Sequence, residues 1–271
     1  MIALLALALA AAPPSATPAA GPRIVSINPC VDAVLMEVAD PRQIVGISHY
    51  SHDPEATSIP LALARRFKAT SGTAEEVVAL APDLVITGSH VAPSTIAALR
   101  RMKVRMLKLP VPETIAESDA QIRKIAAAIG HSAAGAALVQ RIDAAVAAAA
   151  PPPGAPVDAL IWQGGGLVPG SGTLADELLR RTGFRNLSAD YGLKKWDVLP
   201  VEYLVDRPPA VLLSVTKSRG QPDRMLSHPA VAALASHIAV RPYPFRLLQC
   251  AGPTIITAVT QLAAIRASVA R

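Results

Sequence analysis

Two segments of this chain repeat one pattern. Residues 74–86 (AEEVVALAPDLVI) and 201–213 (VEYLVDRPPAVLL) each read as a short amphipathic helix led by a glutamate, then a proline stop, then an apolar run of strand type. A helix that must end and feed a buried strand, repeated about half a chain apart, predicts two similar α/β lobes. A cleft between such lobes is where small ligands tend to bind.

The remaining segments fit that frame. Residues 23–28 (RIVSIN) read as an opening strand, 29–32 lead into an apolar helix at 33–38, and 43–48 (QIVGIS) form a second strand before a polar loop at 49–60. A helix and strand at 73–86, a helix at 93–102 and a strand at 104–109 follow, so the sheet is expected to be mostly parallel and covered on both faces. Residues 114–150 then read as one long helical region, interrupted only by Gly130-His131-Ser132, with Ile115, Ile122, Ile125 and Ile129 on one face. At 1.5 Å per residue a strut of roughly 50 Å would bridge both lobes. The break PPPGAP at 151–156 opens the second lobe: a strand at 157–162, a glycine-rich loop at 163–172, helices at 173–182 and 229–236, strands at 210–215 and 238–241, and a closing helix at 254–270. The expected class is α/β, two Rossmann-like lobes with mostly parallel sheets joined by a long bridging helix, divided as 1–22, 23–112, 113–150 and 151–271.

Composition narrows the address and the partners. Residues 1–12 are wholly apolar and 13–22 are small and proline-rich, which reads as a secretory signal and predicts export. The net charge of +6 is spread thinly, and its densest cluster, Arg100, Arg101, Lys103, Arg105 and Lys108, has no interleaved aromatics. That pattern argues against nucleic-acid binding and mildly favours an anionic ligand or surface. Aromatic residues make up 3% of the chain, which excludes a deep aromatic cup.

Ligands of doubly wound sheets lie beyond the carboxyl ends of the strands. That rule nominates Cys30 after the first strand, His49, Tyr50 and His52 after the second, and His90 after the third. From the second lobe it nominates Trp162, Lys217, Arg219, Gln249 and Cys250. The glycine-rich loop lacks the Gly-Lys-Ser/Thr ending of a phosphate-binding loop. No Gly-x-Ser-x-Gly elbow or His-Glu-x-x-His helix is present, so no catalytic set stands out.

The opening RIVSINP, the strand IVGIS, the segment EVVALAPDLV and the central helical region together resemble the periplasmic binding proteins that serve ABC importers for cobalamin, ferric siderophores and haem. The resemblance runs from Arg23 to the C-terminus. It implies a rigid two-lobe clamp in the periplasm, monomeric and without a resident cofactor, that holds a corrinoid, ferric siderophore or haem-like ligand and hands it to the permease and ATPase complex. It also implies that Glu75 and Glu202 dock onto permease arginines, and that Tyr50 and Trp196 stack on a flat macrocycle. Cys30 and Cys250, one from each lobe, are open to three readings: a disulfide stapling the cleft, two thiolates offered to a soft metal with His49, His52 and His90, or unrelated free thiols. The alternative function is a cleft enzyme of bilobal, chelatase-like architecture using those cysteines and histidines.

Overall fold

The computed structural model describes residues 21–216, 229, 233–234 and 237–269. Its first sheet is built from β1 (Ile24–Ser26), β2 (Ile44–Ser48), β3 (Ala69–Thr70), β4 (Leu84–Thr87) and β5 (Met106–Lys108), all parallel, in the order β3-β2-β1-β4-β5. The second lobe adds β6 (Val157–Trp162), β7 (Leu167–Pro169), β8 (Phe184–Asn186), β9 (Trp196–Val198), β10 (Val211–Thr216) and β11 (Ala239–Pro244). Four of these form a parallel sheet in the order β11-β10-β6-β8, and β7 pairs antiparallel with β9 as a separate lip. The glycine-rich stretch expected as a loop thus supplies β7, because β9 offers it a partner strand.

The repeated segments occupy equivalent places. The helix Ala74–Ala79 feeds β4, which pairs with β1, and the helix Glu202–Asp206 feeds β10, which pairs with β6. Each copy therefore fills an interior position beside the first strand of its own sheet.

Alternate strand residues point to opposite faces, and here the two faces serve different cores. Ile24, Leu84, Ile86, Ile161 and Leu213 face a large central core, whereas Val25 and Val85, and Leu160, Trp162 and Leu212, face two smaller outer ones. The central core is continuous across both lobes, passing through Ile122, Ile125, Leu138 and Ile142 of the connecting helices and Val259 and Leu262 of the closing helix Thr254–Val269.

The expected 50 Å strut is corrected. The connection is two helices, Ile115–Ala128 and Ser132–Ala148, folded back on each other. Gly130 has φ 84°, the Gly130 N–H donates to the Ala127 carbonyl at 3.3 Å, and the His131 N–H donates to that of Ala126 at 2.8 Å. This is the double C-terminal cap in which a left-handed glycine ends a helix. Gly135 then packs so tightly on Ala126 that a Cβ there would lie 2.4 Å from its methyl. His131 Nε2 meets Gln43 Oε1 at 2.7 Å and the Gln43 amide donates to the Ile129 carbonyl at 3.1 Å, fixing the turn to the first lobe. At the other end, the Ile115 N–H donates to Glu177 of the second lobe at 2.9 Å. The first helix of the pair still joins the lobes, but over its own length only.

Asp32 lies in the first turn of the helix Pro29–Val38 and is fully buried. Its carboxylate accepts from the Ser48 N–H at 3.0 Å and from Ser51 Oγ at 2.6 Å. Burial, opposed by the hydrogen bonds from Ser51 and Ser48, pushes its pKa up to about 7. The folded state then holds a proton that the unfolded chain has lost above pH ~4. The stability is fully present below that value and falls as pH rises toward 7. Asp32→Asn keeps an acceptor for Ser48 and Ser51, so urea unfolding at pH 5 and pH 8 is expected to show the loss on raising pH reduced by on the order of 3 kcal/mol.

Candidate ligand-binding cleft

The strand order reverses between β1 and β4 in the first sheet and between β6 and β10 in the second. Crevices at such reversals receive ligands. Beside the first of them lies a cavity of about 480 Å³, within the usual size range for small-ligand sites. Asn28 and Cys30 after β1, Ser89 and His90 after β4, and Ile161 on β6 contribute to its wall. Ser118, Gln121, Ile122 and Ile125 of the first connecting helix line it as well.

Local chemistry sets these positions. Asn28 caps the helix Pro29–Val38 by accepting from the Cys30 N–H at 2.9 Å, with Pro29 pre-shaped for the first turn. Cys30 and Cys250 are joined in a disulfide that crosses from one lobe to the other in the cavity wall. The thiolate-pair and free-thiol readings are thereby corrected, and the chelatase-like alternative loses both of its sulfur groups. Beside the bond, the Gly252 N–H donates to Ser118 Oγ at 3.0 Å.

The expected site residues divide by where their strands sit. Cys30, His90, Trp196, Gln249 and Cys250 line the cavity. His49, Tyr50 and His52 do not, because they follow β2, one strand away from the reversal. His49 Nδ1 meets the Thr70 carbonyl at 3.3 Å, His52 Nε2 meets that of Ala64 at 3.0 Å, and the Tyr50 ring, 51% exposed, lies 4.1 Å from that of His49. Trp162 is 1% exposed in an outer core; its neighbour Ile161 has the parity that faces the cleft. Lys217 and Arg219 lie outside the described residues.

The mouth is built largely from residues that strand-end reasoning passes over. Leu109 to Glu113 form one side, with Val111 58% exposed, and Lys195 and Trp196 of the β7–β9 lip form the other. Trp196 is 39% exposed, presenting an aromatic surface beside the opening. Gln249 Oε1 is buried with no hydrogen-bond partner among the described residues. No group of three or more His, Cys, Asp or Glu able to hold a metal ion occurs among them.

Away from the cleft, Glu75 and Glu202 stand exposed in the first turns of the two repeated helices. Glu76 is differently placed: its carboxylate accepts from the Ser71 N–H at 2.7 Å, Ser71 Oγ at 2.9 Å and Thr70 Oγ1 at 2.9 Å, and the Ser71 bonds above all lower its pKa. Glu76 is thus engaged in holding the turn after β3.

A model of the periplasmic binding protein family matches residues 24–238. The chain belongs to the periplasmic binding protein family. Among solved members with this architecture, the apo periplasmic haem-binding protein RhuT from Roseiflexus sp. RS-1 is 25% identical with a TM-score of 0.74, covering 93% of this chain and 100% of its own. The Vibrio cholerae haem-binding protein HutB is 20% identical with a TM-score of 0.71, over 90% and 98% of the two chains. BtuF, the vitamin B12 binding protein of the same organism, is 17% identical with a TM-score of 0.70, over 93% and 99%. No curated protein sequence matches the chain. Periplasmic binding proteins of this group capture solutes and are not enzymes. No helix among the described residues is long and apolar enough to cross a membrane.

Proposed function

We propose that this chain is the solute-binding subunit of an ABC importer, exported by a signal in residues 1–22, and that it takes a cobalamin-like, ferric-siderophore or haem-like metal chelate into the interlobe cleft. The observation that carries the reading is the cavity between the lobes, walled in part by residues that follow β1 and β4 where the first sheet reverses its strand order, and lined by apolar side chains together with convergent polar ones. Val31, Val34, Ile122, Ile125 and Leu178 would receive the body of the ligand. Trp196 would cover a flat edge, His90 would offer a ring nitrogen toward the metal, and Gln249 Oε1 would accept from a donor on the ligand. Glu75 and Glu202 would meet basic pockets on the permease, two separated anchors that fix orientation.

The reading is tested by melting the mature protein with cobalamin, cobinamide, haem and several ferric siderophores in turn. One class is expected to stabilise it by about 3 kcal/mol at a hundredfold excess over Kd. Absence of a shift with all of them would refute the chelate assignment. Trp196→Ala is expected to weaken the compound that binds by about tenfold, measured by fluorescence or absorbance titration.

A further inference from the structure

Among the described residues that line the cavity, Lys195 is the single lysine or arginine and Glu113 the single carboxylate, and they pair with each other across the mouth. We propose that Lys195 is the anion-recognition residue of the cleft, and that Glu113 is a built-in stand-in for a carboxylate or phosphate on the ligand. The inference rests on the cleft reading above and narrows it to chelates with an anionic edge.

The two members of the pair are held very differently. Lys195 has φ 59°, a left-handed conformation that a non-glycine residue adopts only at a cost. Its N–H donates to the Ser171 carbonyl at 2.9 Å, its own carbonyl accepts from the Gly170 N–H at 2.5 Å, and its ammonium also donates to the Gly172 carbonyl at 3.3 Å. The backbone of Lys195 is fixed at the lip, while its side chain is 56% exposed. Glu113 makes no other side-chain bond among the described residues and is 46% exposed. A pair this exposed contributes little, so an incoming anion can exchange with it and return Glu113 to water. A ligand without an anionic group would have to leave the pair closed beneath it. Lys195 springs from the fixed backbone and keeps the Gly172 carbonyl as a second acceptor when Glu113 leaves, so the ligand group it awaits is negative.

The test compares two pairs of probes: haemin against its dimethyl ester, which differ in the free carboxylates, and cyanocobalamin against dicyanocobinamide, which lacks the whole nucleotide loop with its phosphodiester, so that in the second pair only the part of the preference lost in Lys195→Gln is read as phosphate recognition. The first pair reads carboxylate and the second phosphate. Whichever pair binds, the wild-type protein is expected to prefer the anionic member by about tenfold. Lys195→Gln should abolish that preference with the neutral or cationic member unaffected, and Lys195→Arg should restore it. Glu113→Gln should tighten the anionic member several-fold by removing its competitor. A wild-type preference retained in Lys195→Gln would overturn the inference while leaving the cleft reading intact. Binding of neither pair to the wild type would overturn the inference, and silence from the ferric siderophores as well would remove the cleft reading beneath it.

Discussion

Replacing Cys30 and Cys250 together by serine, or reducing their bond, is expected to lower the melting temperature by about 10–20 °C. The bond closes a loop of 220 residues, so in the chain-entropy account it withholds on the order of 5 kcal/mol of freedom from the unfolded state. At this chain length each kcal/mol shifts the midpoint by about 2–4 °C. Calorimetry with and without reductant measures the effect directly, the double variant showing no further response to reductant. A midpoint that moved by less than about 3 °C would mean that the folded lobes gain little from the link. The same variant also tests ligand capture, because the bond lies in the cavity wall.

Uptake into cells should collapse when Glu75 and Glu202 are both changed to lysine, while ligand affinity in solution stays at its wild-type value. Each lost charge-assisted contact is worth about 1.5–3 kcal/mol, and reversal adds repulsion, so transport at limiting protein is expected to fall by at least about a hundredfold. Glu76→Ala is the informative control. It removes the three hydrogen bonds to Thr70 and Ser71, so it should lower stability and spare docking. Equal transport by the double variant and the wild type would show that delivery uses another surface.

The amphipathic period and the proline that follows it are local properties, which is why the two copies that feed β4 and β10 are legible in the sequence. The reversal at Gly130 is not, because a glycine interrupts a straight helix and caps a folded one alike. Only the distant contact of Gly135 with Ala126 decides between them. The cleft was legible to a similar depth. Strand ends are local, but which strands flank the reversal of order depends on pairing between remote segments. That is why His90 lines the cavity and His49, Tyr50 and His52 do not. The inward parity of Ile161 over Trp162 follows from the same pairing. Glu113 and Lys195 carry no pattern at all as sequence, being lone charges whose meaning arises when the lip meets the opposite wall.

The core that runs unbroken from Ile24 to Ile265 has a bearing on how relatives of this protein can diversify. Neither half of the chain closes its own interior, since the helical pair between them is wetted on one side as soon as either sheet is removed. Halves taken from two members would meet across mismatched apolar faces, so shuffling of lobes is a poor route to new ligands. Change has to come one side chain at a time around the opening, where Val111, Glu113, Lys195 and Trp196 stand exposed and outside the core.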